Sequence, residues 1–163
     1  MSETQLISAL SAEEIEAIEA EVAHLPDRQS AAIEALLIIQ RARGWVSDDS
    51  LRAAAGLLEM SAASLDSIAT FYNLIHRKPV GAHVVMVCDS VSCFVMNGEG
   101  LRARVSESLG IRMGETTPDR AFTLLPIVCL GACDRAPVLM IDEQLFGAGE
   151  VDDLDALFAR FRG

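Results

Sequence analysis

The chain has 163 residues, of which 51% are hydrophobic and 23% are charged, so it can form one or two soluble domains with a buried core. Its formal net charge of −11 argues against nucleic acid or an anionic membrane as a direct partner, because both would repel it. Its apolar runs are too short to span a bilayer, and residues 1–5 lack the basic start of a signal peptide, so we expect a cytoplasmic protein.

The first half of the chain has helical periodicity from about residue 11 to residue 75. Ser11 and Glu14 have the spacing of a capping box, in which two side chains satisfy free backbone N–H groups of the first turn. Gly44 follows a predicted second helix, where a left-handed cap needs no Cβ. The predicted helices begin at Ser11, cover residues 30–43 and 51–58, and begin again at Ser61. We therefore predict a small helical bundle over residues 1–78.

Apolar residues at helical spacing are expected to face the interior of this bundle. Their side chains recur every three or four residues, which is the pattern of one buried face on each helix. The residues are Ile15, Ile18, Val22, Leu25, Ile33, Leu36, Leu37, Leu65, Ile68, Phe71, Tyr72 and Ile75.

The pattern changes after the segment 76–81, where Pro79 and Gly81 disfavour continuation of a helix. A β-rich run over residues 83–87 then ends directly at Cys88. The further predicted elements are a helix over 100–109, strands over 122–128, 138–141 and 144–146, and a helix over 151–161. This order predicts a small α/β layer fold of thioredoxin-like size over residues 79–163. The predicted fold class of the whole chain is thus α+β or α/β.

Four cysteines form two pairs, Cys88-x4-Cys93 and Cys129-x3-Cys133, and each pair begins where a predicted strand ends. In a cytoplasmic protein, such cysteines indicate metal binding or redox chemistry rather than structural disulfides. If the two strands are neighbours, their carboxyl-terminal loops converge and four thiolates can face one point. A 2Fe–2S cluster needs four thiolates, two for each iron. Small residues within the second pair let the backbone approach the sulfurs closely.

The spacing alone leaves other sites open. Structural zinc commonly uses C-x2-C pairs, a thioredoxin-type redox pair needs C-x-x-C, and plant-type ferredoxins have C-x4-C-x2-C. A Rieske-type centre uses two histidines, but His24, His76 and His83 show no paired Cys-x-His spacing. Four unrelated buried cysteines are the general alternative, which two pairs at strand ends disfavour.

Nine segments follow one another in an order and spacing that are typical of one family. They are Ala32–Leu36, Gly44–Val46, Ala69–Tyr72, Pro79–Gly81, Cys88–Cys93, Phe122–Pro126, Cys129–Asp134, Ala136–Pro137 and Met140–Asp142. Together they resemble the 24-kDa-type thioredoxin-like 2Fe–2S subunits of respiratory complex I (the E subunits of bacterial NADH-quinone oxidoreductase), and most closely the proteobacterial type. Two positions depart from the family pattern, which has glycine where this chain has Asn97 and Arg120. Asparagine tolerates a left-handed backbone, so the first turn is expected to be retained.

The resemblance implies that Cys88, Cys93, Cys129 and Cys133 hold one 2Fe–2S cluster in an N-terminal bundle followed by a thioredoxin-like ferredoxin domain. It implies an electron-transfer subunit of NADH-quinone oxidoreductase, with no acid–base residue of its own and with other peripheral-arm subunits as neighbours. FMN and NADH are then expected only on a partner flavoprotein, since no G-x-G-x-x-G follows a strand in this chain. The complex places the chain on the inner face of the cell membrane without direct membrane contact.

The same family also includes subunits of NAD-dependent formate dehydrogenases and of hydrogenase diaphorases. Such subunits also transfer electrons through a 2Fe–2S cluster but belong to a different parent complex. They are therefore the first alternative to a subunit of NADH-quinone oxidoreductase. A structural zinc-binding adaptor without redox function is the alternative from another class.

Overall fold

The computed structural model describes residues 9–162 of the chain. These residues form two compact units, and the boundary between the units falls between Pro79 and Val80. Residues 1–5, which bear on a targeting signal, lie outside the described part of the chain. No described helix combines the length and the apolar character that crossing a membrane requires.

The first unit is helical, as predicted. Its elements are α1 (Ala12–Val22), a 3-10 helix (Arg28–Ala31), α2 (Ala32–Arg43), α3 (Asp48–Leu57) and α4 (Ala62–Phe71). The capping box is confirmed, because Glu14 N–H donates to Ser11 Oγ at 3.1 Å and Ser11 N–H donates to Glu14 Oε2 at 2.7 Å. Gly44 ends α2 with a φ of 80°, which is the predicted left-handed cap. Helix α3 begins earlier than predicted, since Ser47 Oγ accepts the N–H of Ser50 at 3.1 Å.

The core of the first unit corrects part of the predicted inward face. Ile18, Leu36, Leu65 and Ile75 are buried as predicted. Four other residues are exposed, so their predicted burial is wrong: Leu25, Ile33, Phe71 and Tyr72. The buried face of α2 lies one position away from the predicted stripe, and α4 ends at Phe71, with Tyr72 already in an extended conformation.

The second unit consists of a sheet with helices between and after its strands. Its elements are β1 (His83–Cys88), α5 (Val91–Val95), α6 (Gly98–Leu109), β2 (Phe122–Ile127), a 3-10 helix (Cys133–Arg135), β3 (Leu139–Ile141), β4 (Gln144–Phe146) and α7 (Leu154–Ala159). The short helix α5 was not predicted, and α6 begins two residues before the predicted start. Helix α7 is shorter than the predicted range, because Asp153 Oδ1 caps its first turn by accepting the N–H of Ala156 at 2.9 Å.

The four strands lie in the order β2-β1-β3-β4. Strands β1 and β2 pair in parallel, with Cys88 opposite Ile127, whereas the β1–β3 and β3–β4 pairs are antiparallel. A parallel pair needs a crossover connection, which α5 and α6 provide. The two cysteine-bearing strands are thus neighbours, which is the condition under which the cysteine loops converge, and their carboxyl ends share one edge of the sheet.

One face of this sheet forms the main core of the second unit. Apolar side chains of the strands pack there against those of α6 and α7, which gives a helix-on-sheet layer. The cysteine loops lie outside this core, and Cys88 and Cys93 instead belong to a small separate cluster with Ala136 and Val138. The α/β architecture predicted for this half of the chain is confirmed.

Candidate iron–sulfur site

The four cysteines lie on loops and short helices beyond the carboxyl ends of β1 and β2. Cys88 is the last residue of β1, and its N–H donates to Val138 O at 3.2 Å. Cys93 lies in α5, Cys129 follows the end of β2 by two residues, and Cys133 begins the second 3-10 helix. Each thiol is therefore attached to a segment that a regular element anchors.

The first pair is buried, with Cys88 3% exposed and Cys93 1% exposed. Burial, followed by a hydrogen bond with Cys88, raises the pKa of Cys93 to about 11. Negative charge on Cys88 or on Cys133 acts on this pKa in the same direction.

The second pair is exposed, and all four cysteines are free thiols. Gly131 N–H donates to Cys129 Sγ at 3.4 Å, and Cys88 Sγ lies 3.8 Å from the carbonyl oxygen of Val128. Within residues 9–162, no three His, Cys, Asp or Glu side chains form a group ready to hold a metal ion. The structure thus buries Cys88 and Cys93 in one cluster and leaves Cys129 and Cys133 exposed.

The residues nevertheless fit a 2Fe–2S cluster in their chemistry. The four thiols approach one edge of the sheet, and the N–H of Gly131 already points at a cysteine sulfur, which is the contact that tunes such clusters. Ala136 and Val138 give the site an apolar wall. Bound iron would hold the thiols as thiolates, and its positive charge would offset the burial that raises the pKa of Cys93.

Two ion pairs support the cysteine loops, and neither was predicted from the sequence. Arg102 Nη2 lies 2.5 Å from Oδ1 of Asp89, the residue after Cys88, and Arg102 Nε is a buried donor without an acceptor among the described residues. Arg135, two residues after Cys133, bonds the carboxylate of Glu150. The sequence signals neither pair, because each joins residues that only the folded chain brings together.

Comparison with known proteins identifies the family of the chain. The model of the family described as thioredoxin-like [2Fe-2S] ferredoxin matches residues 18–162. The chain belongs to this family. It is 42% identical to the E subunit of NADH-quinone oxidoreductase from Pseudomonas aeruginosa over 99% of both chains. It is 44% identical to the protein of the same name in Escherichia coli K12, over 94% of this chain and 92% of that protein.

Solved structures of the thioredoxin-like ferredoxin fold also match. Two of them are NAD+-reducing [NiFe]-hydrogenase in the H2-reduced and the air-oxidised states, with TM-scores of 0.64 and 0.67. The sequence identity is 19% in both cases, so the likeness establishes the fold alone. The matches cover 78% and 85% of this chain but only 22% and 24% of the hydrogenase chains.

Proposed function

We propose that the chain is the 2Fe–2S electron-transfer subunit of an NADH-quinone oxidoreductase, and that Cys88, Cys93, Cys129 and Cys133 ligate its cluster. The observation that carries the proposal is the position of both cysteine pairs after neighbouring parallel strands. Likeness over nearly the whole chain to relatives named as the E subunit of this enzyme supports the choice of parent complex.

In this function the chain itself holds the 2Fe–2S cluster and shields it from water. When bound, the cluster supplies one-electron chemistry at a potential that charge and hydrogen bonding adjust. Strand β1 fixes Cys88, the N–H of Gly131 donates to Cys129 Sγ, and burial excludes water from the first pair. None of these roles requires the chain to move a proton.

The partner that we propose is a flavoprotein subunit that binds FMN and NADH. Large apolar side chains are exposed on and beside the cysteine loops, and contiguous exposed apolar surface marks interaction sites. They are Val91, Phe94, Val95, Met96 and Val128. Docking through them covers the cysteine loops, and the assembled complex holds the chain peripherally at the inner face of the cell membrane.

The second candidate is the equivalent subunit of a hydrogenase diaphorase or of an NAD-dependent formate dehydrogenase. The fold shared with the NAD+-reducing hydrogenase favours it. Purification of the native complex separates the candidates, because membrane subunits accompany the chain in one case and a nickel or molybdenum subunit in the other.

The test of the cluster is electron paramagnetic resonance of anaerobically purified protein before and after dithionite, with iron, sulfide and zinc measured on the same sample. We expect a spin-half signal only after reduction, with about two irons and two sulfides per chain. Cys88→Ser and Cys133→Ser should each remove most of the signal. Ser90→Ala is the control, since this side chain makes no capping hydrogen bond. Stoichiometric zinc with no signal after anaerobic reconstitution would instead establish the zinc adaptor.

The test of the partner surface is Phe94→Asp in the native complex. This side chain is 61% exposed, so the fold should survive while recovery of the flavoprotein with the chain falls. Leu74→Asp is the control, because Leu74 is 50% exposed in the other unit. Equal recovery of the flavoprotein with both variants would contradict this docking surface.

A further inference from the structure

Gly98, the first residue of α6, lies against the backbone of Cys93. A Cβ at this position would be 2.7 Å from the carbonyl oxygen of Cys93, 2.9 Å from its carbonyl carbon and 3.3 Å from its Cβ. Cβ atoms in proteins essentially never approach other atoms within 3.0 Å. Gly98 does not have a positive φ, so the position requires glycine for space and not for conformation.

The backbone of Cys93 has little freedom to yield to such a Cβ. Hydrogen bonds hold the turn of α5 on both sides of it, from Phe94 N–H to Ser90 O at 2.9 Å and from Met96 N–H to Ser92 O at 3.1 Å. Asn97 then reverses the chain into α6 with a φ of 65°. Cys93 is therefore enclosed between the turn of α5 and the start of α6.

We propose that Gly98 is a positioning residue that fixes where Cys93 presents its sulfur to the cluster. The inference rests on the proposed function, because it assigns the close approach a role in ligand geometry. A side chain at residue 98 displaces the carbonyl group of Cys93. Because this shift also moves the Cα of Cys93, the Sγ of Cys93 changes its position relative to Cys88. The cluster is then held in a strained or incomplete ligand set.

Gly100 provides a matched control in the same turn of the same helix. A Cβ there would lie 2.6 Å from both Nδ2 and Oδ1 of Asn97, which are the far end of an exposed side chain. This side chain can rotate away, so Gly100→Ala adds the same methyl group without touching a cysteine. Gly56→Ala is a second control, since no atom lies within 4 Å of its Cβ position.

The experiment compares Gly98→Ala, Gly100→Ala and the unaltered full chain after anaerobic reconstitution. We expect Gly98→Ala to shift the g values and the midpoint potential of the reduced signal and to weaken iron retention against a chelator about tenfold, as loss of support around metal ligands does. We expect Gly100→Ala to match the unaltered chain. Identical spectra, potentials and iron retention for the two variants would overturn the proposal.

A second measurement does not depend on the cluster. Cys93 is 1% exposed, so its alkylation in the iron-free chain should be faster in Gly98→Ala than in Gly100→Ala. If the unaltered chain reconstitutes no cluster, the proposed function is refuted, and the alkylation comparison still tests the position of Cys93.

If circular dichroism shows that Gly98→Ala does not fold, the same comparisons are made in an Asn97→Gly background. The double variant Asn97→Gly/Gly98→Ala is then compared with Asn97→Gly alone, because glycine gives this turn a freer backbone.

Discussion

Two residues of the second unit hold a left-handed backbone where the family pattern has glycine. Asn97 has a φ of 65° and Arg120 a φ of 58°. The expectation that the turn at Asn97 is retained is therefore confirmed. Asparagine can hydrogen-bond locally in this conformation, whereas the long side chain of arginine gains nothing there. Strain at Arg120 is consequently the larger of the two.

We expect Arg120→Gly to stabilise the second unit. A left-handed conformation costs a residue with a side chain roughly 1–2 kcal/mol, and glycine loses roughly 0.5–1 kcal/mol more backbone entropy on folding. The net gain in the free energy of unfolding should be about 0.5–1 kcal/mol, measured by urea denaturation. Asn97→Gly is the comparison and should change this free energy by less. A destabilised Arg120→Gly protein would show that the arginine side chain contributes more than its backbone strain.

Residue-level predictions succeeded where the determining chemistry is local. The capping box at Ser11 and the glycine cap at Gly44 depend on neighbouring residues only, and both are present. Burial of Phe71 and Tyr72 depends on where α4 ends and on which residues cover that end of the helix. The periodicity of apolar residues gives information on neither. The close approach of Gly98 to Cys93 was missed because it depends on how α5 folds back onto α6.

At the scale of elements, an ion pair joins α1 to the end of α2. The carboxylate of Glu14, which is 4% exposed, accepts from Arg43 Nε at 2.6 Å and from the N–H of Ser11 at 2.7 Å. Burial acts to raise the pKa of Glu14, but the bonds from Arg43 and Ser11 outweigh it, so the pKa lies below its ordinary value. The charged carboxylate therefore stabilises the fold at neutral pH.

We expect Arg43→Met to lower the free energy of unfolding by about 2–4 kcal/mol, because it leaves the buried Glu14 charge without its partner. Arg41→Met is the control, since Arg41 is exposed and its partner Glu34 is half-buried at the surface, and surface pairs contribute about 0–1 kcal/mol. The measurement is chemical denaturation at pH 7. An equal effect of the two substitutions would show that Glu14 is hydrated.

The same pair gives a pH dependence. The folded pKa of Glu14 is depressed, so its contribution is complete above the unfolded pKa of about 4.5 and is lost as the pH falls through the folded pKa. The stability difference between the unaltered chain and Arg43→Met should therefore shrink below about pH 4.5. A difference that stays constant down to pH 3 would exclude Glu14 as its source.

The elements around the cysteines were predicted to different degrees. Strands β1 and β2 were identified by their apolar runs, whereas their parallel pairing was not predicted, because the sequence left open whether the two strands are neighbours. Helix α5 was missed, since five residues such as Val91–Val95 are too few for a periodic pattern and form a helix only in tertiary context.

At the scale of the whole molecule, the two compact units have separate cores. We therefore propose that residues 1–78 and 79–163 are independent domains. Residues 79–163 expressed alone should unfold cooperatively and take up a 2Fe–2S cluster, measured by denaturation and by electron paramagnetic resonance. Cys88→Ser in the same fragment is the control. A fragment that stays unfolded under conditions of reconstitution would show that the helical unit is required for folding.

The overall charge of the chain bears on the reduction potential. Reduction makes the cluster more negative inside a protein of net charge −11, so we expect a potential nearer the roughly −400 mV of plant-type ferredoxins than that of Rieske centres. Salt screens this repulsion, and the midpoint should rise by roughly tens of millivolts between low and high ionic strength, since about 1.4 kcal/mol corresponds to 59 mV for one electron. A strongly positive midpoint in a redox titration would contradict this expectation.

The crossover between β1 and β2 also constrains the order of events during biosynthesis. Cys88 and Cys93 are synthesised before β2, and Cys129 and Cys133 are synthesised only after it. A nascent chain that ends before β2 holds half of the proposed ligands and lacks the strand that brings the other half alongside. The proposed cluster can therefore be completed only when nearly the whole polypeptide has been synthesised.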